Sequence, residues 1–570
     1  MNEQTTVFGI DLGTTYSCIS YLDETGRAEV CHSMEGDNTT PSVVIMPLEE
    51  GEESIVGVTA KQQAGYYPDR IIAFVKQKIG RVDTMEYGPE DDRKTTTPID
   101  VSAEVLKKVA RDAEAYCNKL VKDVVITVPA YFGENEKAAT KEAGLRAGLN
   151  VINIVEEPTA AAFYYGCQHD EDETILIFDL GGGTFDVTAM RLENGNLRVI
   201  TTDGNHELGG FKWDKALMDY VEEKFRDETG YDGEIPPEDA ADLPFLCEAA
   251  KKTLSSAPKA MVKIDLGRAY NKMIEVTREE FDEITEGLLA QAIELTRDVV
   301  DRVEQDGIKI DKILLVGGST KMPQVKRALV EEFGLEPVSN EPDEAVSKGA
   351  AIYAGWSLMN IITSDGAPDG FDPANGESEH EHEYSLPDGS KVKDVQTDES
   401  GSTTVTLEDE NGEMRVVSYS LPSAARTKIV TSVSSKSFGI KVVNNATNKL
   451  VIWNLILKDT VMPIHRTVSI PLSEDNMNSV SIELFQCEAR KDDNTGWLEA
   501  YDPDSGIGVK IGEGILSGLP SGLRAGTMVD INISYELQTG LLEITGAYEG
   551  QPLEGSVARE YSEGIGKQEI

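Results

Sequence analysis

Apolar positions follow two different rules along this 570-residue chain. Before about residue 360, short apolar runs alternate with stretches in which apolar residues recur every three or four positions. The runs FGIDL (8–12), VVITV (124–128), TILIF (174–178) and ILLV (313–316) predict buried strands. The periodic stretches predict helices over 102–122, 134–149, 212–228, 237–254, 278–305, 323–333 and 343–359. In the first of these, Val105, Val109, Ala113 and Tyr116 form the apolar stripe. Residues 61–81 also read as helix-like, and AMVKIDL (260–266) with NKMIEV (271–276) as a strand pair. After residue 429 the rule becomes strict alternation. FGIKVV, LVIWNLI, TVSIPL, SVSIELFQC, WLEAY, VDINISYEL and LLEITGAY, separated by turn residues, predict an all-β sandwich or barrel.

The first regime repeats itself. FGIDLGTTYSCISYL and TILIFDLGGGTFDVTAMRL share a plan: apolar strand, closing aspartate (Asp11, Asp179), small-residue turn, second strand. VVITVPAYF, a helix and EEPTAAAFYYG correspond to ILLVGGSTKM, a helix and EPDEAVSKGAAIYAG. A duplication of this order predicts two similar lobes with a ligand held between them. Gly181, Gly182 and Gly183 remove every Cβ from one turn, so backbone N–H groups can crowd around a phosphate chain. Asp179 and Asp186 flank that turn. A carboxylate facing phosphate is repulsive unless a cation intervenes, which points to Mg²⁺ with retained waters. An ordinary glycine-rich hairpin is the weaker reading of this stretch even in isolation, and its duplicated partner weakens it further. There is no GxxxxGK[ST], so this is not a P-loop enzyme.

Composition narrows the setting. The length implies about two to four domains. A formal charge of −48 argues against nucleic acid or an anionic membrane as the main partner. Six scattered cysteines with no CxxC read as reduced cytosolic thiols. The N-terminus enters its first strand at once, with no signal peptide and no apolar run long enough to span a bilayer, so cytoplasm is the expected location. Residues 361–428 carry 15 acids against 5 bases and read as an acidic linker-like insertion, although TTVTLED and MRVVSYSL can pair as a hairpin. His380 and His382 within it read as solvated loop residues.

The motifs IDLGTTYS, VPAYF, EEPTAAAFYYG, FDLGGGTFDVT, HELGG, LSSA, VGGSTKMP and EPDEAVSKGAA occur in an order and spacing that resemble the 70-kDa heat-shock chaperones of the DnaK type, within the actin/sugar-kinase ATPase superfamily. The resemblance is strong over residues 5–358 and weaker over 430–550. It implies an α/β two-lobed actin-like ATPase domain of duplicated ribonuclease-H-like lobes over 1–360. After the insertion at 361–428 it implies an all-β sandwich that binds peptide over 429–550, then a tail, 551–570, too short for the family's helical lid. The implied activity is slow Mg²⁺-dependent hydrolysis of ATP to ADP, coupled to binding of extended apolar segments of unfolded polypeptide. K⁺ is an optional ion, and a J-domain co-chaperone and a nucleotide-exchange factor are partners the resemblance allows. Rival readings within the superfamily are a nucleotide-switched, filament-forming or regulatory protein and a small-molecule kinase.

Residue roles follow from the same resemblance. Asp11, Asp179 and Glu157 orient Mg²⁺ and its waters; Gly13, Thr14, Thr15, Gly181, Gly182, Gly183 and Thr184 line the phosphates. Lys76 steadies the attacking water and Asp186 lies near it. Read alone, Lys76 is an ordinary solvated lysine; only the following IGR and the family spacing single it out. Tyr16, Gly209, Gly210, Glu248, Lys251, Lys252, Ser255, Gly317, Gly318, Ser319, Lys321 and Asp343 carry the adenosine side. Lys252 and Lys321 stand where the family usually has arginine, whose guanidinium stacks better on adenine, so weaker nucleotide retention is expected. The implied peptide groove comprises Ile440, Val442, Val443, Ile470, Ser473 and Val480.

Overall fold

The computed structural model describes residues 3–559, apart from 50, 81–83, 170, 268–269, 340, 365–385, 399–401, 427–429, 445–448, 488–496, 499–507 and 537–540. It divides into two compact units. One comprises Met1–Ala130, Thr140–Leu197 and Asp203–Ile429; the other comprises Tyr131–Ala139, Arg198–Thr202 and Val430–Ile570.

The first unit is α/β. Its first sheet runs Asn150–Glu156, Leu120–Val128, Glu3–Asp11, with Tyr16–Leu22 folded back antiparallel on the last of these. A second sheet carries, in order, Val338–Ser339, Lys312–Val316, Glu173–Leu180, Phe185–Glu193 and Asn196–Asn205. The predicted duplication is visible in the registers. Ile10 pairs with Ile126 in parallel, as Phe178 pairs with Leu315; Asp11 faces Cys18 across one hairpin, as Asp179 faces Asp186 across the other. The corresponding helices Glu157–Gln168 and Ala345–Ser364 cross closely. A Cβ on Gly349 would lie 1.8 Å from the carbonyl oxygen of Ala160, so glycine is required at that crossing.

Helix ends moved where capping outweighed periodicity. The helix expected over 102–122 is Pro98–Cys117, because Thr97 caps it by accepting the N–H of Asp100 and Pro98 suits its first turn. It stops at Asn118, which adopts a left-handed backbone, and Tyr116 from the expected stripe is 47% exposed. The helix expected over 61–81 does not form. A short helix, Val58–Gln62, gives way to 3-10 turns at Ala64–Tyr66 and Val75–Lys78 and to a strand, Ile71–Ala73, paired with Val43–Ile45. Gly65 and Pro68 interrupt the helix, and β-branched Ile71 and Ile72 suit the sheet.

The largest departure lies in the acidic stretch at 361–428. Residues 391–420 are not a linker: Lys391–Thr397, Ser402–Glu408 and Met414–Ser420 form three antiparallel strands, and the third joins Glu3–Asp11 in parallel, extending the first sheet. Val405, Leu407, Val417 and Tyr419 are buried, while the acids project from turns and the outer strand. Composition counted acids without seeing that the apolar residues of 402–420 alternate toward a buried face. TTVTLED and MRVVSYSL do pair, in the register Val405–Val417. His380 and His382 lie outside the described residues.

The second unit is β-rich as expected. One sheet runs Trp497–Leu498, Lys449–Ile456, Ser437–Asn444, Ser479–Cys487, Gly508–Ser517; the other runs Ile464–Pro471, Met528–Glu536, Leu541–Tyr548, Gln551–Pro552. Ile482, Leu484, Ile531, Ile533, Leu542 and Ile544 from both sheets fill one apolar core. Part of the expected tail is strand, since Gln551–Pro552 and Val557–Arg559 pair with Leu541–Tyr548; residues 560–570 lie outside the described residues.

Candidate functional site

Asp11 is the last residue of Glu3–Asp11 and Asp179 the last but one of Glu173–Leu180, and both line one cavity of about 460 Å³ in the first unit. The two small-residue turns meet there. A Cβ on Gly182 would fall 2.0 Å from the Oγ1 of Thr15, so only glycine lets the turns approach this closely. The carbonyls of the glycine turn are occupied from behind. Gly181 O accepts from the Gly210 N–H (3.0 Å) and the Ser319 hydroxyl (2.9 Å). Gly182 O accepts from the Phe211 N–H (2.7 Å), and Gly183 O from the Gln77 side chain (3.3 Å). The carbonyl dipoles that would repel an anion are thus engaged elsewhere, which suits the loop to phosphate.

One cation sits among the acids. Lys76 is 4% exposed and its Nζ lies 2.5 Å from Oε1 of Glu157. Burial, and then the charge of Glu157, push the Asp11 carboxyl up to about 7, with Lys76 and a hydrogen bond from Thr127 pulling the other way. Burial followed by Glu157 also holds Asp179 and Asp186 well above the usual carboxylate range. Both carboxylate oxygens of Asp186 are buried without a hydrogen-bond partner among the described residues. Four acids sharing one lysine make a site that favours a further cation. No three His, Cys, Asp or Glu side chains among the described residues are arranged to hold a metal ion alone. An ion here fits only as Mg²⁺ does, with waters and phosphate oxygens completing its shell.

The opposite wall is laced with lysines. Lys61 pairs with Glu248, and Lys252 pairs with Glu248 at 2.8 Å. Both ammoniums also donate to the Tyr16 hydroxyl, at 2.9 and 2.7 Å, and lie over its ring. Burial works against ionised Glu248, yet Lys61 and Lys252 pull it down to about 2. Lys251 bonds Asp214 (2.8 Å) and Gly210 O (3.1 Å), tying its helix to the helix Gly210–Thr229. Lys321 pairs with Asp343.

Most of the expected nucleotide residues therefore converge. Gly13, Thr14, Thr15, Tyr16, Gly181, Gly182 and Thr184 line the cavity, as do Lys76, Glu157, Glu248, Lys251, Lys252, Ser255, Gly317, Gly318, Ser319, Lys321 and Asp343. Gly183, Asp186, Gly209 and Gly210 are not among the residues that line the cavity. Cys18, Thr39, Val316, Met322, Pro342 and Val346 also line it and were not anticipated. For Cys18 a signal existed, since it occupies in the first hairpin the place of Asp186 in the second. Lys61 carried none, because its partner lies 187 residues away.

The six groove candidates do not share one face. Ile440 and Val480 belong to the apolar core of the second unit, with Val442 and Ile470 packed against it. Val443 is 49% exposed and Ser473 is exposed. Among the described residues, no helix is long and apolar enough to cross a membrane.

The family model described as Hsp70 protein matches residues 7–361. Two curated relatives, each named Chaperone protein DnaK and found in the R1 and NRC-1 strains of Halobacterium salinarum, are 40% identical to this chain over 373 residues. Each match covers 64% of this chain and 58% of the relative. The twin hairpins, the cavity they share and a family match over more than half of the residues lead to one statement: the chain belongs to the Hsp70 family.

Proposed function

We propose that this chain is a DnaK-type chaperone that hydrolyses ATP to ADP and binds extended apolar segments of unfolded polypeptide. On this reading the two sheets of the first unit are the duplicated ribonuclease-H-like lobes of an actin-like ATPase domain, and the second unit binds peptide. The carrying observation is the convergence of two glycine-containing turns on a cavity where Lys76 is buried among four acids. Thr14, Thr15 and the backbone of 181–184 would hold the phosphates. Asp11, Asp179 and Glu157 would hold Mg²⁺ through its waters, and that ion supplies charge neutralisation to the phosphates when bound. Lys76 would orient the attacking water. Asp186, buried and outside the cavity lining, would lie near that water. In the second unit, Val443 and Leu450, 49% and 52% exposed, pair across neighbouring strands and offer apolar surface to a peptide.

A J-domain co-chaperone, a nucleotide-exchange factor, K⁺ and a cytoplasmic setting belong to this proposal. The test is ATP turnover, measured with and without an extended apolar peptide, alongside binding of the same peptide after fluorescent labelling. Turnover that rises with peptide supports the whole reading. Turnover without peptide binding in any nucleotide state removes the chaperone half, and absence of turnover removes the ATPase half. Sedimentation with ATP and analysis of phosphorylated products address the filament and small-molecule kinase readings.

A further inference from the structure

Phe74 has φ 58 and ψ 28, a left-handed backbone that a bulky residue adopts only where its surroundings impose it. Its ring is tilted 48° against that of Phe211, with centroids 4.6 Å apart. Phe211 opens the helix Gly210–Thr229 on the second-sheet side of the cavity, and its N–H donates to Gly182 O at 2.7 Å. Phe74 leads directly into the 3-10 turn Val75–Lys78, which buries Lys76 against Glu157 and brings the Gln77 side chain onto Gly183 O. Four consecutive residues thus reach the aromatic partner, the lysine's acid and the glycine turn. Any other backbone region at Phe74 would redirect the turn and carry Lys76 out of the acid cluster.

We propose that the Phe74–Phe211 ring pair is a clasp that positions Lys76: it holds residue 74 left-handed and so fixes the lysine over the glycine turn. Phe74 does not line the cavity, and it acts through Lys76. The clasp rests on the ATPase reading above, because what it positions is the group assigned to the attacking water. It is local packing rather than charge, so it contributes to the reaction geometry and little to nucleotide affinity.

The test is a double-mutant cycle of Phe74→Leu, Phe211→Leu and the pair, with Phe74→Tyr to restore a ring. Single-turnover hydrolysis at saturating Mg²⁺-ATP is read beside the affinity for a fluorescent ADP. Each leucine variant should hydrolyse about tenfold more slowly, consistent with a sub-ångström misplacement of one group. ADP affinity should hold, and Phe74→Tyr should recover most of the rate. The double variant should be no slower than either single, because both remove one interaction. Unchanged rates in the leucine variants, or losses that multiply in the double, overturn the clasp while leaving the ATPase reading intact. A wild-type chain that binds ADP but hydrolyses nothing overturns both. Should Phe74→Leu fail to fold by thermal melting, Phe211→Leu decides from the other side of the contact: a slowed rate with ADP affinity kept supports the clasp, and an unchanged rate overturns it.

Discussion

The guanidinium of Arg415 holds both carboxylate oxygens of Asp123, Nε at 3.2 Å and Nη2 at 2.9 Å, across 292 residues of chain. Asp123 is 0% exposed and also accepts from the side chain of Asn150 at 2.7 Å. Burial raises its proton affinity, and Arg415 opposes that shift. The same guanidinium reaches Asp388 and Ser390, so one side chain ties the acidic stretch to the sheet it extends.

Replacing Arg415 with alanine leaves Asp123 buried without its counter-charge. Urea unfolding should then show a loss of roughly 3–5 kcal/mol. A loss below about 1 kcal/mol, the range of exposed pairs, would mean that these strands are not docked as described. Arg415→Ala with Asp123→Asn should recover part of the loss, since the uncompensated charge is gone.

Lys76→Ala should slow hydrolysis by about a hundredfold, the effect of losing one preorganised electrostatic group. Single-turnover kinetics separate this from binding, and fluorescent-ADP affinity should change far less than the rate. Full turnover in the variant would remove Lys76 from the reaction and with it the assignment of the acid cluster.

Glu248 gives a pH dependence with a definite sign. Its folded value, about 2, lies below that of a free glutamate, so its ionised form stabilises the fold at neutral pH. That contribution is fully present above about 4.5 and is lost as pH falls toward about 2. The stability gap between wild type and Glu248→Gln in urea should therefore be widest near pH 7 and shrink steadily below about pH 4.5. A gap independent of pH would show that Lys61 and Lys252 do not act on Glu248 through charge.

Val480 and Val443 should behave oppositely. Val480 is 8% exposed in the shared core, so Val480→Phe overpacks it and should cost about 1–3 kcal/mol in stability. Val443 is half exposed, so Val443→Asp should leave the melting temperature nearly unchanged while weakening binding of an extended apolar peptide. Intact binding by Val443→Asp would place the peptide surface elsewhere on the second unit.

What the sequence determined by itself is local and repeated. A buried strand announces itself by its own apolar run, and a glycine turn by its own lack of Cβ atoms. Finding both twice, around Asp11 and Asp179, was enough to predict twin hairpins and a phosphate site between them. The alternation after residue 429 likewise predicted the β-rich unit without reference to any partner. Tertiary structure decided everything that depends on a distant neighbour. Lys76 reads as a solvated lysine until Phe74 turns the chain and Glu157 receives its ammonium. Ile71–Ala73 becomes a strand because Val43–Ile45 is there to pair with it. Composition marks the acidic stretch as linker-like, yet strand Glu3–Asp11 offers an open edge and Asp123 a buried counter-charge, and these dock the strand Met414–Ser420. Val480 reads as a groove residue from the resemblance until the second sheet closes over it and makes it core. Periodicity reports which face of an element is buried; it does not report what buries it, because that partner is chosen by packing and charge between segments far apart in the chain.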